Sequence, residues 1–529
     1  IKLMGDPVWS QEKQNRDVLY LGTNGDDEPV DIEFRAWLKG FTRAELLEIG
    51  KEHGIIIGVI NTVKEALDSK QFDYRDQWGS IDIGATQVRI PKPGYQFSET
   101  PTRICSPGPA LDADGAALRA TPPAPIVLEQ SARTGRALEG IRILDFGWNW
   151  AGPMMGQILA DMGAEVIRIE SAGRVDPMRA VPTASYFFCN NNRSKLSAAF
   201  NISNPEGAAQ VRELIPKCDL VLDNFAAGVM EKNGLGYEAL KKANPAIIVV
   251  SMSMAGQAGP EADMRGFASI ASGYVGLEST VGYADTQKTT GLMSFGLGDT
   301  TQAIQAVIGG LAALEYRSKT GRGQFVDMSQ TASMGATMGD PLLDLQLNER
   351  IAGPRGSRHT HHAPHGIFPA TGDNRWVALA ARNEEEWLAL CAAMGRDDWA
   401  QDSSLSQSHA RRARSDELNA AIGEWTASQD RDQLVAALND AGVPSAPVLE
   451  LEERNDHALF SSQKLTLRHD QGSMEACDIY ATPWRLTGTP PEMTCHAPLL
   501  GENNNYVYRE LLGLSEEQVE QMQEQKILV

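Results

Sequence analysis

The run Gly291-Leu-Met-Ser-Phe-Gly-Leu-Gly298 ends on Asp299, and the residues that follow, Thr300–Arg317, have the periodicity of a helix. This spacing predicts Asp299 at a helix N-cap, where free backbone amides and the helix dipole keep a carboxylate ionised at neutral pH. An ionised carboxylate is a nucleophile toward an activated acyl group, and the amides of a glycine loop can hold the oxyanion that forms. An ordinary capping aspartate has the same pattern, so spacing alone leaves both readings open.

Three other groups have chemistry to offer. Trp148-Asn-Trp150 follows a strand end, and an indole face attracts cations, so Trp148 is a candidate for holding a sulfonium or quaternary ammonium group; packing against adenine or another segment is the alternative. Between Ser171 and Ser203 stand Arg174, Arg179, Arg193 and Lys195 against the single acid Asp176, a local excess of +3 that suits either a phosphate-bearing ligand or a solvated surface face. His359, His361, His362 and His365 crowd one Gly/Pro-rich loop, but histidines alone at this spacing make a weak metal signal, and no metal is expected.

The elements that must position these residues are legible nearby. Ile141–Phe146 alternates like a strand, Gly152–Met162 reads as a helix with Pro153 in its first turn, and Ala164–Glu170 is a second strand. A βαβ unit of this kind implies a parallel sheet with helices on both faces, which binds ligands at the carboxyl ends of its strands. No GxGxxG accompanies it, so a dinucleotide site is not indicated. The 529 residues, 42% hydrophobic, can bury several cores. The net charge of −21 excludes an electrostatic nucleic-acid binder. Apolar runs fall short of the ~20 residues of a membrane span, so no membrane partner is expected. Six scattered cysteines without a CxxC pair and the absence of an export signal point to the cytoplasm.

The chain also matches itself. With an offset of 388, Trp37 meets Trp425, Arg43 meets Arg431, Gly54 meets Gly442 and Glu65 meets Glu453 without a gap. Both copies predict a helix (Ala44–Lys51, Asp432–Leu438), a glycine cap and a short apolar strand (Ile55–Ile60, Val443–Leu449) before a Thr-Pro-x-Arg turn. The expected organisation is therefore a tail of a first, incomplete unit over 1–105, a Pro/Ala-rich linker over 106–138, and a complete second unit. The missing part of the first unit is expected as the first half of a fused chain or in an interlocked dimer. Glu516–Gln525 reads as a solvated helix.

Gly140-Ile-Arg-Ile-Leu-Asp-Phe146, Ala151-Gly-Pro153, Leu159–Glu170, Asn192-Arg-Ser194, Asp223-Asn-Phe225 and Lys319–Gln324 together resemble the class III coenzyme A transferases, the CaiB/BaiF family. The resemblance implies an α/β fold with a Rossmann-like parallel sheet in a large domain (139–345 and 441–529). It also implies a smaller inserted α+β domain (346–440) and interlocked tandem units. It implies Asp299 as nucleophile and coenzyme contacts at Trp150, Ala151, Arg193, Asn224, Phe225, Lys232 and Arg265. Ser171 and Lys232 depart from arginines of the family, and Lys232 cannot grip a phosphate bidentately. Acyl-CoA, acetyl-CoA foremost, and a small carboxylate are then cosubstrates, and no tightly bound cofactor is implied. Among its relatives the chain most resembles the tandem-fused dimethylsulfoniopropionate CoA-transferase/lyases, which implies release of dimethyl sulfide. The alternatives are plain transfer to carnitine or a dicarboxylate and a non-catalytic coenzyme-binding subunit. A racemase is disfavoured because no histidine lies near Gly266-Phe-Ala268.

Overall fold

The computed structural model describes residues 2–5, 28–121, 135–180, 185–284, 288–289, 296–463, 466–469 and 477–528. Its main sheet has seven strands: β1 (Tyr95–Phe97), β2 (Arg142–Asp145), β3 (Glu165–Glu170), β4 (Leu196–Ala199), β5 (Leu220–Asp223), β6 (Ile248–Ser253) and β7 (Phe325–Ser329). They lie in the order β1-β7-β6-β5-β2-β3-β4, all parallel except β1, which pairs antiparallel with β7. From β2 onward this is the doubly wound order, whose direction of winding reverses between β2 and β5. The central strands are apolar on both sides, as burial between two helical layers requires: Ile143, Leu144, Leu220, Val221 and Val250 have no exposed surface.

Helix α1 (Ala151–Asp161) crosses from β2 to β3 as expected, and Pro153 sits in its first turn, where no intrahelical donor is needed. Helix α2 (Ser185–Asn192) leads into β4. Helices α3 (Ala268–Tyr274) and α4 (Leu297–Thr320) connect β6 to β7, and α5 (Gln330–Gly335) follows β7 directly.

A second sheet, with its own hydrophobic cluster around Trp387, Leu418 and Ile422, consists of β8 (His365–Pro369), β9 (Trp376–Ala380) and β10 (Ser445–Val448). Its last strand lies beyond the expected limit at 440, because β10 pairs with β9 rather than with the main sheet.

Residues 28–97 are not a detached tail. Tyr95–Phe97 supplies the edge of the main sheet, and Val63, Phe72 and Trp78 share a core with Tyr274, Met334 and Leu342. The two self-similar segments form the same local constellation. Arg43 donates to Ile60 O (3.0 Å) and to Glu65, which accepts from Thr62 N; Arg431 donates to Val448 O (3.1 Å) and Glu453, which accepts from Glu450 N. Helices begin at Val63 and Leu451 and again at Lys70 and Ala458, and strands at Trp78 and Thr466, each pair at the same offset. One expectation fails: Ile55–Ile60 forms no strand, whereas Ser445–Val448 does. The latter has β9 beside it; the former runs along α3, with Asn61 N bonded to Gly273 O, and among the described residues no strand pairs with it.

Candidate functional site

The reversal between β2 and β5 leaves a crevice at the strand ends, and two loops frame it: Phe146–Trp150 after β2 and Asn224–Phe225 after β5. Asn224 joins them. Its Oδ1 accepts from Trp148 N (2.7 Å) and its Nδ2 donates to Trp148 O (2.8 Å). Only a glycine fits opposite: a Cβ on Gly152 would lie 3.0 Å from Asn224 Oδ1 and 2.8 Å from Gly147 Cα. Asn149, at φ 59°, donates its N–H to Asp176, whose carboxylate pairs with the buried Arg168 (2.5 Å). Arg168 in turn donates to Gly147 O (2.8 Å). The loop carrying Trp148 and Trp150 is thus pinned from both sides. The sequence named Asp176 only as the one acid of the basic stretch, and the role of Arg168 went unread; an arginine in the apolar run Val166–Ile169 was the available signal.

Trp148 packs edge-on to Phe225 (5.8 Å between ring centres), and the guanidinium of Arg174 lies over its ring at 4.8 Å. A cation of the chain therefore already stands over the indole proposed to hold an onium group. Trp150 lies 5.0 Å from Phe187, and Ala151 is buried at the start of α1.

The second half of the site arrives on α4. Gly296, at φ 78°, is the N-cap, and a Cβ there would lie 2.9 Å from the Trp150 ring, so the turn rests on the indole. The helix starts earlier than its sequence suggested, so Asp299 is not the cap; it lies in the first turn, two residues after Leu297. Its Oδ1 accepts from Gln330 Nε2 (2.9 Å), a residue that sequence reasoning missed because it lies 31 positions away on α5. Burial raises the Asp299 carboxyl to about 6, and the Gln330 hydrogen bond works in the opposite direction. Proximity to the helix start favours the anion, yet desolvation wins. The expected glycine loop lies outside the described residues over 291–295.

The basic cluster is not a free +3 in space. Arg179 pairs with Glu170 (2.7 Å), Arg193 with Asp161 (2.9 Å) and Lys195 with Asp145 (2.7 Å). These acids come from β3, α1 and β2, outside the sequence window over which charge was counted. Arg193 is 1% exposed and also donates to Asn190 O (2.7 Å), so its guanidinium faces inward rather than toward the crevice. Lys195 is fully buried, and desolvation brings its amine down to about 8. Arg174 is exposed and, among the described residues, has no carboxylate partner. Lys232, at the end of the turn Val229–Lys232, is exposed and makes no side-chain bond among the described residues. Arg265 is likewise exposed, in the loop before α3, whose Ala268 packs on Gly298. The structure thus brings Trp148, Trp150, Ala151, Asn224 and Phe225 together at the crevice with the Asp299 turn beside Trp150. Lys232 and Arg265 are exposed, and Arg193 is buried against Asp161 at the far end of α1.

Among the histidines, His359 stacks on His362 (4.5 Å), and its Nδ1 accepts from the amides of His361 and His362. That nitrogen is thereby engaged. No helix among the described residues is long and apolar enough to cross a membrane.

Comparison with known proteins matches residues 1–115 and 138–504 to CoA-transferase family III. Succinyl-CoA–D-citramalate CoA-transferase of Chloroflexus aurantiacus is 33% identical over 404 residues, 75% of this chain and 100% of that protein. Succinate–glutarate CoA-transferase of Agrobacterium fabrum is 30% identical over 391 residues, 71% and 95% of the two chains. The crystal structure of a CAIB/BAIF family protein from Brucella suis superposes with a TM-score of 0.65 at 26% identity, covering 72% of this chain and 100% of that one.

Proposed function

Because the chain belongs to CoA-transferase family III, we propose that it moves coenzyme A from an acyl-CoA to a small carboxylate through Asp299. The observation that carries this reading is the partly accessible carboxylate of Asp299 beside the Trp150 edge of the switch-point crevice, held among the described residues by one hydrogen bond and by no cation.

Asp299 attacks the thioester carbonyl and expels the CoA thiolate, giving a mixed anhydride. The thiolate then attacks the aspartyl carbonyl, releasing the first carboxylate and leaving an aspartyl-CoA thioester. An incoming carboxylate attacks that thioester, regenerating an anhydride and the thiolate. Attack of the thiolate on the new acyl carbon forms the product and restores Asp299. Protons are not consumed, so no general base is required for transfer itself. The coenzyme lies across the Trp148–Ala151 and Asn224–Phe225 loops, with Arg174, Lys232 and Arg265 as the cations free to meet its phosphates.

The acceptor class we favour is a dicarboxylate or hydroxydicarboxylate, since relatives of this chain are named for citramalate and glutarate. The sulfonium acceptor would have to share Trp148 with Arg174, which weighs against it. A panel of carboxylates assayed with acetyl-CoA and succinyl-CoA, with headspace detection of dimethyl sulfide, separates the two. Transfer to citramalate or glutarate without sulfide supports the first reading; sulfide evolution from dimethylsulfoniopropionate supports the second, and no transfer to any acid overturns both. We further read residues 1–105 as the tail of a first, incomplete unit of the same build, supported by the shared Arg–Glu constellation and by the two separate family matches.

A further inference from the structure

We propose that Gln330 is a positioning residue for the transfer: its side-chain amide holds one oxygen of Asp299 and thereby presents the other to the thioester. The inference rests on Asp299 being the nucleophile.

Gln330 is the first residue of α5, immediately after β7, and its side chain is 4% exposed. Ser329 caps the same helix through Ala332 N (3.1 Å), so the backbone from which Gln330 projects is set by a strand end and a cap together. The donor reaches Asp299 Oδ1 only; Oδ2 has no hydrogen-bond partner among the described residues. The carboxylate torsion is broad and two-fold, so a free aspartate would present either oxygen over a wide arc. One fixed oxygen narrows that arc, and near-attack geometry is what such narrowing supplies. The same bond opposes the burial that favours the protonated, unreactive acid.

Among the described residues no other charged side chain acts on Asp299, and the buried Glu278 is bonded to Ser272 of α3. Helices α3 and α5 and strand β6 carry no Asp, Glu, Lys, Arg or His, and Tyr274 of α3 is bonded to Ser69 and Glu261. Asp161 at the far end of α1 pairs with Arg193, Asp327 of β7 pairs with Arg75, β1 offers only Tyr95, and Arg265 is exposed in the loop before α3. On α4 itself, Glu315, Arg317 and Lys319 lie at the opposite end.

The test is the pH profile of Gln330→Met, which keeps length and removes the donor, and of Gln330→Glu, which keeps shape and adds a like charge. Expected for Gln330→Met is a kcat lower by about tenfold at pH 7, KM for acyl-CoA within about twofold, and an acid limb of kcat displaced upward by about one pH unit. Gln330→Glu should displace the limb further. An unmoved acid limb and unchanged kcat in both variants overturn the proposal, as does a lowered melting temperature with an unmoved limb, which would mark a structural residue. Asp299→Asn is assayed alongside with mass-spectrometric search for a CoA adduct. Turnover by that variant would overturn the nucleophile itself, whereas an inactive Asp299→Asn with an unmoved Gln330 limb removes this inference alone.

Discussion

At the scale of single residues, Asp299 is caught between two opposing effects. Burial raises its carboxyl to about 6, so the native state retains a proton that the unfolded chain has already released between the ordinary aspartate value and that figure. Stability therefore falls as pH rises through this window, while the population of attacking carboxylate grows. Asp299→Asn should abolish transfer yet leave the protein about 1–2 kcal/mol more stable than wild type at pH 7–8, the benefit vanishing below pH 4, because Asn can still accept from Gln330 and carries no charge to desolvate. Urea denaturation at the two pH values measures it. For the wild type, kcat/KM should rise with pH through about 6; a flat profile between pH 5 and 7 would contradict the burial of this group. Arg193 tests the buried pairing: Arg193→Ala leaves the Asp161 carboxylate without its cation in the interior and should destabilise by about 3–5 kcal/mol, whereas Arg174→Ala should leave stability within about 0.5 kcal/mol and raise the KM for acyl-CoA.

Among elements, the switch-point loop depends on one side chain. Asn224→Ala removes both bonds to Trp148 and leaves two part-buried backbone groups unpaired, a cost of about 1–3 kcal/mol. Trp148 fluorescence should shift and acyl-CoA affinity fall, even if the Asn224 amide never touches coenzyme. Asn224→Asp retains the acceptor toward Trp148 N but turns the second bond into a carboxylate facing a carbonyl, and should be worse than the alanine variant above pH 5. Calorimetric titration with acetyl-CoA distinguishes the two.

For the whole molecule, the two self-similar segments sit in unequal surroundings. Phe34 and Ile55 are 44% and 46% exposed, while Ile422 and Val443, at the same offset, are fully buried against β8–β10 and their helices. At these two offsets the second segment closes a core and the first faces solvent, although Val63 and Phe72 further along the first segment are buried. Ile422→Ala should cost about 2–5 kcal/mol, with a somewhat smaller loss for Val443→Ala, whereas Phe34→Ala and Ile55→Ala should change stability of the chain by less than about 1 kcal/mol. Thermal unfolding of the four variants makes the comparison, and a large loss at Phe34 would show that a further segment already covers it.

The local elements and the aspartate proposed as nucleophile were legible because they rest on short-range signals. Apolar alternation marks β2 and β3, Pro153 marks the start of α1, glycines mark the α4 turn, and the offset of 388 needs only the order of residues. What tertiary structure alone decided is which groups meet. The stretch 171–203 is basic on its own, but folding brings Asp145, Asp161 and Glu170 against its cations and, among the described residues, leaves Arg174 without an acid. A strand also needs a neighbour, which β10 finds in β9 and Ile55–Ile60 lacks. Asp299 reads as a cap until the helix is seen to start at Leu297, and Gln330 gains its meaning only when β7 and α5 carry it across 31 residues to the carboxylate. Pairing, burial and charge neutralisation are properties of distance in space, which the linear order of residues does not contain.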